Sequence, residues 1–219
     1  MSVTYGFFNA ELVNGDYDRK YTADQLAEYF ASLIGNGVSA AIENCFKVVP
    51  SSGMVVNVSI GFAWIKGFWV KSDAAYPLII SSAPSTGYRK DLIVLRFNRS
   101  DRSITPTIIK GTVSNTSPAS VPSYSRTVDE FDLVLASVDL SAGASSITSA
   151  MITDLRSDTT YCGIIDTFAN LLIPTGSITA DKLGSDILPE DVGIVIGTAT
   201  PTDENPIISE GQIYLKYET

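Results

Sequence analysis

The chain contains no histidine. Every mechanism that depends on imidazole is therefore excluded: Ser-His-Asp and Cys-His nucleophiles, His-based zinc sites and the HExxH metalloproteases. Charge is scarce too, at 18 % of residues against about 25 % in an ordinary soluble domain. What charge there is leans acidic, 15 Lys and Arg against 24 Asp and Glu for a net −9. This balance excludes, as a main role, the neutralisation of phosphates on nucleic acid or an anionic membrane. No apolar run approaches the ~18 residues of a membrane span. The start of the chain lacks a basic stretch followed by an apolar one, so neither a signal peptide nor membrane insertion is expected, and synthesis is expected in the cytoplasm. Cys45 and Cys162 are the two cysteines; they lie far apart and outside any CxxC pattern. A metal ribbon is excluded, a disulfide framework is not expected, and both are read as buried small hydrophobes.

What the chain does contain is β-branched and hydroxyl-bearing sequence, punctuated by Gly, Ser, Asn and Pro. Phe46 to Val49, Met54 to Val58, Phe62 to Ile65, Phe68 to Lys71, Pro77 to Ile80, Asp91 to Asn98, Ile104 to Lys110 and Asp132 to Leu140 read as short strands. Lys66-Gly67 reads as a two-residue hairpin loop, and Arg99 to Arg102 as a turn between two longer strands. Residues Gly111 to Arg126 lack periodicity and are read as a long surface loop. This rhythm predicts a mainly β fold, an antiparallel β-sandwich.

One helix stands out before the strands. Thr22-Ala-Asp-Gln25 spells a capping box, and Tyr21 and Leu26 occupy the positions of a hydrophobic staple. Leu26, Tyr29, Phe30, Leu33 and Ile34 then follow the spacing of one helical face, and Gly35-Asn-Gly37 suits a left-handed stop. The spacing predicts an amphipathic helix from Ala23 to Ile34 whose stripe is buried on the sandwich or against another subunit. After Arg156, residues Tyr161, Ile165, Phe168 and Leu172 recur at a/d spacing and predict a short coiled-coil-like helix ended by Pro174. The tail beyond is poor in apolar residues, with a last strand-like run from Gly211 to Tyr217, and is expected to be satisfied by copies of itself, as a trimer. The organisation expected is a docking segment with helix over 1–45, a sandwich over 46–157, and a short helix with a fibre-like oligomerising tail over 158–219.

Several blocks carry a family resemblance. Tyr5-Gly-Phe-Phe-Asn9, Asp18-Arg-Lys-Tyr-Thr-Ala-Asp-Gln-Leu26 and Gly35-Asn-Gly-Val38 resemble the start of tail and baseplate structural proteins of phages and prophages of Gram-positive bacteria. Gly53-Met-Val-Val-Asn-Val58 with Lys66-Gly67, Tyr88-Arg-Lys-Asp-Leu-Ile-Val-Leu-Arg96 with Gly111, and Ile147 through Ile152-Thr-Asp-Leu-Arg156 extend the resemblance in the same order. Ile178-Thr-Ala-Asp-Lys-Leu183 is similar to repeats found where fibre shafts begin. The resemblance implies a non-enzymatic virion protein without a cofactor. It would dock on the tail tip or baseplate, contact other tail proteins, and carry or form part of the host-recognition apparatus, reaching a host surface glycan through a partner. Leu26, Phe30, Leu33, Tyr161, Ile165, Phe168 and Leu172 are the expected partner-interface residues.

Other residues invite chemical readings. Phe62, Trp64, Phe68 and Trp69 flank one hairpin; Phe62 and Trp64 share a face and are read as core, whereas Trp69 is the residue expected to meet a saccharide if the chain is instead a carbohydrate-binding module. Asn14-Gly-Asp16-Tyr-Asp18 spaces oxygen atoms as calcium loops do, but Arg19 and Gln25 stand where such a loop needs glycine and glutamate, so a turn with solvated carboxylates is expected. Asp129, Glu130 and Asp132 offer a carboxylate pair for a polysaccharide hydrolase, without any mark of a raised pKa. Asp154 and Arg156 are expected to form a buried structural ion pair.

Overall fold

The computed structural model describes residues 9–17 and 20–166, and the strands Ile194–Gly197 and Ile213–Lys216. The protein is mainly β with one α-helix, and it divides into two compact units, Met1–Asn170 and Leu171–Thr219. In the first, the order is β1 (Leu12–Val13), β2 (Asp16–Tyr17), α1 (Ala23–Leu33), β3 (Gly37–Ser39), β4 (Val48–Pro50), β5 (Val55–Val58), β6 (Gly61–Ile65) and β7 (Phe68–Ser72). There follow β8 (Tyr76–Ile79), β9 (Tyr88–Asn98), β10 (Ser103–Ile109), β11 (Glu130–Ser141), β12 (Ile152–Asp154) and β13 (Ile164–Ile165). In the second unit β14 (Ile194–Gly197) pairs in parallel with β15 (Ile213–Lys216), which falls within the strand-like run expected there.

Three sheets surround one core, with strand orders β10-β9-β11-β12, β13-β3-β6-β7 and β4-β5-β8. Val38, Val56, Val58, Ala63, Ile65, Ile93, Leu95, Leu133 and Leu135 from these sheets meet in it. β9 and β11 are apolar on both faces because both faces are covered. Ile93, Leu95 and Phe97 face the shared core, whereas Leu92 and Val94 join Val134 in a second cluster on the other side. A bulge between Val134 and Ala136 inserts one residue into β11, so the core face passes from 131, 133 and 135 to 136, 138 and 140.

The second cluster has a cover that sequence rhythm does not announce. The stretch read as a free surface loop lies on it: Ala119 is buried, Tyr124 packs on the cluster, and the Ser125 N–H donates to Asp132 Oδ2 at 2.8 Å. Asp132, fully buried, also receives Arg96 Nε and Nη2 at 2.8 and 2.9 Å. At the other end of β9, Arg89 and Asp91 form a buried pair two residues apart on the core face. Arg89 Nη2 meets Asp91 Oδ2 at 2.9 Å, Nη1 and Nη2 donate to the Ser82 and Ser81 carbonyls, and Asp91 Oδ1 accepts the Gly111 N–H. Every charge taken out of water here has a geometric partner, as burial requires.

Two expectations are corrected. Tyr161 and Ile165 do not belong to a helix: Tyr161 lies in a turn and Ile165 in β13, parallel to β3. The reason is Gly163 between them, at φ +96°, which no α-helix contains; its carbonyl accepts the Val38 N–H at 3.0 Å, and the Ile165 carbonyl accepts Ala40 N–H at 2.9 Å. Phe168 and Leu172, the rest of that seam, lie outside the described residues. The helix α1 ends without a left-handed stop, since Ile34 is extended at φ −128° and the chain runs straight into β3. Among the described residues no helix is long and apolar enough to cross a membrane.

Candidate functional site

The helix forms as its sequence dictates. Thr22 Oγ1 accepts the Gln25 N–H at 3.2 Å while Gln25 Oε1 accepts the Thr22 N–H at 2.9 Å, both halves of the capping box. It is held on the body by the β6–β7 hairpin tip. Lys66 and Gly67 take φ of 53° and 78°, the pair of left-handed residues that a tight hairpin needs. At Gly67 a side chain would run into the Ala27 carbonyl and lie 2.9 Å from the Ala31 N–H, so helix and hairpin approach backbone to backbone. Asn36 Oδ1 accepts the Lys66 N–H at 2.6 Å, and Asp24 Oδ1 accepts from Arg99 Nη1 at 2.8 Å.

This seat buries the wrong face for the expected stripe. Ala27 is the buried residue of the helix, whereas Leu26, Tyr29, Phe30 and Leu33 remain 44, 47, 39 and 47 % exposed. Within the described residues, Leu26, Phe30 and Leu33 of the stripe therefore stay partly exposed. Close approach at Gly67 needs a small residue opposite, which turns the alanine inward and the large side chains outward and sideways.

Between α1, the hairpin tip and the β9–β10 turn lies a cleft of about 650 Å³. Leu26, Phe30, Phe68, Phe97 and Ile104 supply its apolar lining, with the Phe68 and Phe97 ring centroids 5.2 Å apart. Trp69 and the polar Asp24, Arg99, Arg102 and Ser103 are also part of its lining. Arg99 Nε is buried without a hydrogen-bond partner, 3.8 Å from Asp129 Oδ1. Arg102, exposed in a left-handed turn conformation at φ 50°, makes no side-chain hydrogen bond or ion pair within the described residues.

On the outward side of the β6–β7 hairpin, Phe62 and Trp64 are half-buried instead of core; Ala63 and Ile65 occupy the inward positions. Trp69, 64 % exposed, stacks parallel on Phe62 with centroids 5.6 Å apart, and Trp64 tilts against Phe62 at 4.6 Å. The other residues singled out in the sequence have the following neighbours, apart from Asp18, which lies outside the described residues. Asn14-Gly15 is the tight turn joining β1 to β2, and Asp16 there pairs with Lys20 at 2.6 Å. Glu130 lies 3.4 Å from Arg96, beside the Asp132 pair. Asp154 pairs with Arg156 at 2.7 Å, but at the surface instead of buried as expected, because the Asp154 carboxylate faces solvent; that hydrogen bond holds its carboxyl below the usual carboxylate value, and Arg156 also donates to the Cys45 carbonyl. Both cysteines are buried free thiols, as read, and burial pushes Cys162 up to about 12. Among the described residues no three His, Cys, Asp or Glu side chains are grouped to hold a metal ion.

Tyr161 and Ile165 are half-buried in their own unit, Tyr161 against Tyr124 at 5.9 Å and Ile165 over Gly35 and Gly37. The cleft and the free Arg102 escaped sequence reading, because a cavity arises where three distant segments meet and leaves no local pattern. In comparisons with protein families, curated proteins and solved structures, nothing matches this chain.

Proposed function

We propose that the chain is a non-enzymatic structural protein of a phage tail tip or baseplate, or of a related contractile injection device. Its sheets form an antiparallel β-sandwich, α1 docks on neighbouring tail proteins, and the C-terminal segment with Phe168 and Leu172 trimerises to carry or form part of the host-recognition apparatus. The observation that carries the reading is a well-capped helix whose apolar stripe stays open while its alanine faces inward. Full burial of a Leu or Phe side chain is worth roughly 1.5–3 kcal/mol, and Leu26, Phe30 and Leu33 still expose 39 to 47 % of their surface, so a partner that covers them gains roughly half of that at each. Immunogold labelling of tailed particles with antibodies against the chain tests the role. Label at the distal tail is expected, and particles free of label from a lysate rich in the chain overturn it. Light scattering of the purified chain tests the trimer, with a monomer at high concentration as the adverse result.

A second reading, a carbohydrate-binding module touching the host envelope directly, is favoured by Trp69. Its exposed indole, braced by Phe62, is the rigid platform on which pyranose C–H faces stack. Binding on a glycan array that Trp69→Ala abolishes supports this reading; a silent array supports the adaptor.

A further inference from the structure

We infer that the surface at Trp69 takes an acidic saccharide, a pyranose chain bearing carboxylate or phosphate groups, with Trp69 as the stacking plane and Lys71 and Arg102 as its two counter-charges. The inference rests on the saccharide reading of Trp69 and deepens it, since it names the class of glycan. Trp69 belongs to two features at once: it is the exposed member of the stack on Phe62, and it lines the cleft beside α1. An indole held 7° from parallel to the ring beneath it offers a pyranose a rigid apolar plane that needs no further ordering.

The charges beside that plane set the class. Along β7, Trp69 and Lys71 are exposed, whereas Val70 between them packs on the core. The register places Lys71 directly opposite Phe62 and Trp69 directly opposite Trp64, so Lys71 rises from the same sheet face as the three rings. On the cleft side, Arg102 and Ser103 line the space that Trp69 also lines. Neither Lys71 nor Arg102 makes an ion pair or a side-chain hydrogen bond among the described residues, and both are exposed. The acidic residues at hand do not cancel them: Asp24 is held by Arg99, and Asp73, just past the end of β7, makes no ion pair. In a chain of net −9, two unpaired cations beside one exposed indole run against the overall charge.

Ammonium and guanidinium groups attract carboxylate and phosphate alike, and charges within a Debye length of the stacked sugar add to its affinity and to its rate of encounter. A neutral sugar engages the indole and the Ser103 hydroxyl but leaves both cations unanswered.

The test uses the full chain on an array that holds uronic-acid oligosaccharides, phosphate-bearing oligosaccharides and the neutral counterpart of each. Affinities follow from the fluorescence of Trp64 and Trp69, the chain's two tryptophans. An acidic glycan is expected to bind at least tenfold more tightly than its neutral counterpart, and added sodium chloride should close that gap. Which acidic set binds tells a carboxylate source from a phosphate source. Trp69→Ala should abolish binding. Lys71→Gln and Arg102→Gln should each weaken it at least threefold, while Lys71→Arg and Arg102→Lys retain most of the affinity. Both cations are exposed, and unchanged far-ultraviolet circular dichroism and unfolding midpoints verify that the variants fold. Trp69-dependent binding that is as tight for neutral glycans, or indifferent to both Gln variants, overturns the acidic assignment and leaves the saccharide reading standing. A silent array, or binding that survives Trp69→Ala, overturns both, and release of the chain from tailed particles by Trp69→Ala would then assign this face to a protein.

Discussion

Two apolar regions of this protein differ in what covers them. Along β9 and β11, Leu92, Ile93, Val94, Leu95, Leu133 and Val134 are all fully buried, one face on the shared core and the other beneath the stretch from Gly111 to Arg126. On α1 and the β6–β7 hairpin, Leu26, Phe30, Leu33 and Trp69 are at least 39 % exposed, although their apolar area per residue is as large. The first region also pairs its buried charges, Arg89 with Asp91 and Arg96 with Asp132, whereas in the second, among the described residues, Arg102 makes no ion pair and Arg99 Nε no hydrogen bond. Burial is thus concentrated in the β9–β11 ladder and exposed apolar surface at the helix corner. A domain can leave one apolar surface open only when another supplies most of its burial energy.

The contrast is sharpest at Asp91. Asp91→Ala leaves the Arg89 guanidinium buried and unpaired and should cost about 3–5 kcal/mol in denaturant unfolding; a loss below about 1 kcal/mol would show that water reaches Arg89. Next come matched leucines. Leu133→Ala should cost about 2–5 kcal/mol through transfer and cavity, while Leu33→Ala, at a side chain 47 % exposed, should change stability by less than about 1 kcal/mol. Equal costs would erase the distinction between the regions. Thr22→Ala removes one half of the capping box and should lower stability by about 1 kcal/mol. Because the helix corner touches the body at few points, this loss should register in amide exchange of α1 well before global unfolding.

The smallest expected effect is electrostatic. The hydrogen bond from Arg156 holds Asp154 below the ordinary 3.8, so the pair's contribution is complete above that value and is lost as pH falls through the depressed one. With Asp154 44 % exposed, solvent screens the pair to roughly 0.2–1 kcal/mol. Unfolding midpoints of the wild type and Asp154→Asn should therefore converge as the pH drops below about 4, and midpoints that stay apart by the same interval would remove the ion pair as the cause.

Much of the fold was legible because local signals agreed with the final structure. The runs from Met54 to Leu140 became β5 to β11 within a few residues of their expected limits, since β-branched alternation and turn residues act over short distances. The capping box and the Lys66-Gly67 turn are likewise local chemistry. The seam through Tyr161 and Ile165 misled because two apolar residues four apart suit a helix or a turn followed by a strand, and Gly163 between them weighed too little. The sealed pair of Arg89 and Asp91 left no mark in the sequence, because nothing within the chain segment itself tells a solvated pair from a buried one.

From the sequence alone came the mainly β class, the one capped helix, the hairpin turns and the exclusion of imidazole chemistry. Each depends on residue type or on spacing within a few positions. Only the tertiary structure decided that Ala27 and not Leu33 faces the body, that the loop over 111–126 covers the second face of β9 and β11, and that a cleft opens beside Arg99 and Arg102. The physical reason is that burial is a property of what lies opposite a side chain. Gly67, Asn36 and Arg99 reach α1 from separate parts of the chain, and their combined approach sets which side of the helix meets protein and which meets water.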